Sequence, residues 1–139
     1  MAMRYLVTFA ATLLISGCAS GTAMPDDPFA EMFSGVPAER ADRIAAGLTG
    51  HPLGSEANPV RVNMPPGQRD YLSRLRCSDN RAPQFERIGS MGMGPYGQIV
   101  DGYDVQCPGS SPDKTTLYLD MYHPTHVETQ APPGFTLVQ

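Results

Sequence analysis

Fourteen glycines and fourteen prolines punctuate the 139 residues, and their spacing limits what the chain can build. Each breaks or bends regular structure, so a long helical bundle or coiled coil is excluded and short elements joined by turns are favoured. The length is that of one small domain with appendages. The charge balance narrows the field of partners further. Ten Lys and Arg are scattered against fourteen Asp and Glu, for a formal net charge of −4, and they form no basic stripe of the kind nucleic-acid binding requires. Internal repeats and low-complexity blocks are absent from the sequence.

The N-terminus carries the clearest address. Arg4 gives a short positive start, and Leu6 to Ser16 is an uncharged run the size of a signal-peptide core, too short to span a bilayer. It ends in Leu14-Ile15-Ser16-Gly17-Cys18, which resembles the lipobox of bacterial lipoproteins: an aliphatic residue, two small residues and an obligatory Cys. The resemblance implies that Cys18 receives a diacylglyceryl thioether, that cleavage falls after Gly17, and that the new amino group is acylated. Acyl chains contribute about 0.8 kcal/mol per buried methylene, so such an anchor is essentially permanent. Ala19 stands where an Asp would imply retention in the inner membrane, which points to the outer membrane, facing the periplasm. The expected organisation is a signal peptide over 1–17, a lipidated Cys18 with a small, polar, Pro-broken tether over 18–27, and one periplasmic domain over 28–139.

With Cys18 committed to lipid, the remaining thiols are Cys77 and Cys107 in an exported chain, where disulfides persist. A structural Cys77–Cys107 bond is the expectation. It closes a loop of about 30 residues and contributes roughly 3–4 kcal/mol on the chain-entropy account.

Helical periodicity marks three short segments. Pro28 with Phe29, Met32 and Phe33 is one; Pro37 to Leu48, with Ala41, Ile44, Ala45 and Leu48 on one face and Gly50 as its stop, is a second. Pro65 to Arg76 is the third, its stripe of Tyr71, Leu72 and Leu75 delivering Cys77. Pro59 to Asn63 reads as a short strand. Beyond Cys77 the pattern turns to β, with runs over Gln84–Gly89, Tyr96–Cys107 and Lys114–Tyr122, and a possible edge strand over Phe135–Val138. In the second run Ile99, Tyr103, Val105 and Cys107 share a parity that Asp101 interrupts; in the third Thr115, Leu117, Leu119 and Met121 share one. Short turn-rich connectors over Ser90–Pro95 and Pro108–Asp113 predict antiparallel neighbours. The expected fold is α+β, a small three- or four-stranded antiparallel meander with two or three short helices on one face and one disulfide. The blocks Glu56–Val62, Gly67–Leu72, Arg74–Cys77, Phe85–Arg87 and Gly94–Cys107 are similar to small proteobacterial lipoproteins that carry no assigned activity. That resemblance implies a shared fold and no reaction.

Candidate chemistry is sparse. His123 and His126 stand three apart with Asp120, Glu128 and Met121 nearby, a possible metal pair, but Pro124 makes the segment a strand end entering a loop, and the reading is of exposed loop histidines. Met91 and Met93 raise a Cu(I) variant of that idea. The glycine-rich stretch Gly89–Gly97 lacks the Lys-Ser/Thr ending of a phosphate loop. Arg69, Arg74, Arg76, Arg81 and Arg87 suggest an anionic groove for cell-wall or envelope partners, against a mixed solvated surface, the favoured reading, implied by Asp70, Asp79 and Glu86. Tyr96 and Tyr122 are read as exposed, as part of a binding patch or as cover for the sheet edge. No cofactor and no catalytic residue is implied. The functional expectation is a membrane-anchored, non-catalytic binding or accessory module, with a periplasmic metal-handling protein using His123 and His126, or a small hydrolase, as alternatives.

Overall fold

Alternation in the second half of the chain builds the sheet on which everything else rests. The computed structural model describes residues 34–139; the signal segment, Cys18, the tether and the expected helix around Phe29, Met32 and Phe33 lie outside the described residues. The described elements are α1 (Ala38–Leu48), β1 (Val60–Arg61), α2 (Met64–Arg74), β2 (Leu75–Arg76), β3 (Gln84–Met93), β4 (Ile99–Gln106), β5 (Lys114–Asp120) and β6 (Thr136–Leu137). Strands β3, β4 and β5 form the expected antiparallel meander, with Tyr103 opposite both Arg87 and Leu117. The fold class is α+β.

The fourth strand of that sheet comes from an unexpected direction. β1 pairs parallel with β5, setting Val60 against Leu119 and Arg61 against Asp120, so the order is β1-β5-β4-β3 and the sheet is mixed. Because α2 and three further strands intervene between β1 and β5, β5 can return alongside β1 in the same direction. The C-terminal strand does form, but β6 pairs antiparallel with β2 in a separate two-stranded ladder, Leu75 opposite Leu137. β3 also runs past Gly89, where a turn was expected. Gly89 and Gly92 hold positive φ values of 152° and 96° next to two shifts of register, so these glycines serve bulges within the strand.

Two apolar clusters hold the helices. Tyr71 and Leu72 of α2 and Leu75 of β2 have no solvent exposure and join Tyr103, Val105, Leu117 and Leu119 from the sheet in the larger core. Each such leucine contributes about 1.5–3 kcal/mol by its removal from water. The Cys77–Cys107 disulfide staples the end of β2 to the end of β4, with the two Cα atoms 5.9 Å apart. α1 uses the face read from its periodicity: Ala41 packs with Val36 and Tyr96, flanked by Ile44, Ala45 and Leu48, as a smaller second cluster. The chain is led into α1 by a bond from the Val36 N–H to the Tyr122 carbonyl at 2.8 Å. Gly35 makes this approach possible, since at its φ of 77° a Cβ would lie 2.7 Å from Pro124. No described helix is long and apolar enough to cross a membrane.

Candidate functional site

Three acid–base pairs gather where α1 crosses the β1 edge of the sheet. The first follows from register. β1 brings Arg61 alongside Asp120, and the Arg61 guanidinium reaches across to α1, where Nη1 donates to Asp42 Oδ1 at 2.8 Å. Arg61 is nearly enclosed, with 14% of its side chain exposed, whereas the Asp42 side chain is 69% exposed. The guanidinium holds the Asp42 carboxyl below the usual carboxylate range.

The second pair corrects the sequence reading of His123. This residue follows the end of β5, as expected, but it is 2% exposed, and Tyr96 and Tyr122 are buried too, at 2% and 9%. Past Asp120 the chain stays bonded to the segment after β1: Tyr122 bridges Asn63, and the His123 N–H donates to the Val62 carbonyl at 3.1 Å, so the residue before Pro124 is held inside. The ring of His123 meets Tyr96 edge to face with centroids 4.7 Å apart, and its Nε2 lies 3.4 Å from Asp120 Oδ1. That oxygen accepts the Tyr122 N–H at 3.0 Å, while Asp120 Oδ2 and His123 Nε2 are buried with no hydrogen-bond partner among the described residues. The Tyr96 phenol beside them is pushed up chiefly by burial, with Asp120, Glu128 and Asp42 adding to the shift and Arg61 opposing it.

The third pair is His126 with Glu128, Nε2 to Oε2 at 3.3 Å. Burial alone would raise the Glu128 carboxyl; the His126 ring and the N–H groups of Gln130 and Thr129, which donate to Oε1 at 3.0 and 2.9 Å, outweigh it and hold the group low. α2 fixes this loop from behind. The Tyr71 hydroxyl donates to the Gln130 carbonyl at 2.9 Å and Arg74 Nη2 to the Glu128 carbonyl at 3.2 Å.

Around these groups opens a cleft of about 620 Å³, with Asp42, Arg61, Tyr96, His126 and Glu128 in its wall together with apolar Ala45 and Leu53. A smaller cavity of about 110 Å³ shares Asp42, Arg61 and His126 with it and adds His123. The volume of the larger one suits a small molecule.

The other expected residues fall elsewhere. His123 and His126 each face a separate carboxylate, and among the described residues no group of three or more His, Cys, Asp or Glu is placed to hold a metal ion. Met91 lies over Gly102 of β4, whose Cβ would meet it at 2.8 Å, and Met93 is 72% exposed opposite Ile99, so the two thioethers are separated by a bulge. The arginines do not share a groove. Arg74 pairs with Asp70, Arg81 with Asp79 and Arg87 with Asp101, while Arg76 donates to the carbonyls of Ser73 and Leu75 and Arg69 is exposed. Arg61 and Asp42, which the sequence reading did not single out, are the charged pair at the cleft. The only sequence signal for Arg61 was its place in the short Pro59–Asn63 strand, beside apolar Val60 and Val62.

A second buried polar group, on the α2 face, is structural. Gln68 Nε2 donates to Asp101 Oδ2 at 2.9 Å, the Tyr103 hydroxyl donates to Gln68 Oε1 at 2.9 Å, and Arg87 Nη2 donates to Asp101 Oδ1 at 2.7 Å. Asp101, the residue that broke the apolar alternation of β4, is therefore buried with partners on both oxygens. Burial would raise its carboxyl, but the bonds from Arg87 and Gln68 hold it below the usual range.

No protein-family model matches this sequence, and no curated protein and no solved structure is similar to it.

Proposed function

We propose that the chain is an envelope lipoprotein, anchored through lipid on Cys18 in the outer membrane and facing the periplasm, whose domain is a non-catalytic binding or accessory module. The observation that carries the anchoring is the sequence Leu14-Ile15-Ser16-Gly17-Cys18 at the end of an uncharged run. The cleft beside α1 supports the binding role: it is open, of small-molecule size, and its wall sets Arg61 against Asp42 and His126 against Glu128. A metal-handling role would require His123 and His126 to act on one ion, and each ring already addresses its own carboxylate.

Labelled palmitate fed to cells making the full chain tests this reading. The wild type takes up label, is shortened by its signal segment and fractionates with the outer membrane. A Cys18→Ser chain is unlabelled and uncut. An unlabelled wild type ends the lipoprotein reading.

A further inference from the structure

We infer that the cleft receives a small molecule through its carboxylate, with Arg61 as the receptor and Asp42 holding that place until the ligand arrives. The inference deepens the binding-module reading and rests on it.

The three carboxylates around the cleft are not equivalent. Asp120 is fully buried and fixed by the Tyr122 N–H. Glu128 is fixed by two backbone N–H groups and by His126. Asp42 is exposed, and among the described residues Arg61 alone donates to its carboxylate. A carboxylate in that position loses little by swinging into water, because exposed ion pairs stabilise by only about 0–1 kcal/mol.

Arg61 is the opposite case. Its guanidinium is held in an almost enclosed position, lines both cavities, and offers five N–H donors in a planar fork of which one is engaged with Asp42. A planar fork in a partly dry wall matches a carboxylate with two parallel bonds, which a single contact from an exposed side chain does not achieve. The rest of the wall sets the body of the ligand. Ala45, Leu53 and Pro59 are apolar, Thr49 and Asn58 are neutral and polar, His51 and His126 also line the wall, the latter with Nε2 on Glu128, and Arg61 is the one Arg or Lys among the described residues of the wall, so the favoured ligand carries one negative charge on a small uncharged body. The exchange is balanced in charge: one carboxylate leaves the guanidinium and another takes its place.

The test uses the full processed protein in detergent micelles, titrated with N-acetylglycine and, separately, with its uncharged isostere N-acetylglycinamide, followed by NMR of the arginine Nε–H and backbone signals. The acid shifts the Arg61 signal and the amide does not. Asp42→Asn, an exposed change that leaves the fold intact, removes the competing carboxylate and tightens the acid by about threefold to fivefold, the factor that corresponds to an exposed ion pair. Arg61→Gln weakens it by about tenfold or more, in line with loss of a charge-assisted pair. Equal binding of acid and amide in the cleft overturns carboxylate recognition while leaving a binding module. Unchanged affinity in Asp42→Asn, or no response to the acid in either protein, also overturns it. Anchoring is read separately, by palmitate label, and its failure leaves this titration unaffected.

Discussion

Asp101 and Asp120 sit one register step apart on neighbouring strands, both buried, and they face opposite sides of the same sheet. On the α2 side, Asp101 is enclosed by Arg87, Gln68 and Ser90, and the network closes through Tyr103. On the α1 side, Asp120 accepts one backbone bond, its second oxygen has no partner among the described residues, and the His123 Nε2 lies 3.4 Å from the first oxygen without a hydrogen bond. A satisfied polar group in a dry interior fixes register and geometry, whereas an unsatisfied one costs free energy that folding alone does not recover. The first arrangement belongs to a scaffold. The second lies behind the cleft, where local consistency gives way.

If stability resides on the α2 face, the largest effect comes from removing its staple. The double change Cys77→Ala and Cys107→Ala should lower the unfolding free energy by roughly 3–4 kcal/mol, read by urea denaturation of the oxidised wild type against the variant. An unchanged midpoint would shift the stability onto the α1 side and dissolve the contrast. Next in size is Asp101→Asn. It sets an amide N–H₂ against either Gln68 or Arg87, leaves buried donors unmatched, and should cost about 2 kcal/mol. The same site gives the protein an acid limit. Because its folded pKa is depressed, Asp101 adds stability that is fully present above the unfolded value of about 3.9 and is lost as pH falls through the folded value. Thermal midpoints of the wild type should therefore drop below about pH 4, and those of Asp101→Asn should fall less steeply there.

Much of the α2 face was legible in the sequence, and little of the α1 face was. The stripe Tyr71, Leu72 and Leu75, the alternation of Leu117 with Leu119, and the pair Cys77 and Cys107 are local patterns that report burial directly. α1 was legible for the same reason, through Ala41 and its helical neighbours. Asp101 showed itself only as a break in a parity, because a buried charge looks the same as an exposed one until its partners at positions 68 and 87 are brought to it. Arg61, Asp42, His123 and Glu128 belong to four separate segments, and what unites them is the parallel return of β1 beside β5, a pairing with no local signature. Pro124 does open a turn, but the exposure expected of His123 did not follow from it. A proline that cannot donate still allows the residue before it to complete a ladder bond, here from the His123 N–H to Val62.

The smallest expected effect is the sharpest test of the comparison. Asp120→Asn makes the same chemical change as Asp101→Asn, in an equally buried position, on the opposite face. The amide oxygen can keep the bond from the Tyr122 N–H, and the amide nitrogen replaces an oxygen already without a partner among the described residues, so one unmatched polar group is exchanged for another. A buried carboxylate is also exchanged for a neutral group, which removes a desolvation cost. Measured at pH 8, the variant should therefore lose no stability and differ from the wild type by less than about 0.5 kcal/mol. The measurement is a pair of urea curves at that pH, with Asp101→Asn run beside it. A loss near 2 kcal/mol at both sites would mean that His123 meets Asp120 as a true charged partner, and that the two faces of the sheet are built on the same principle after all.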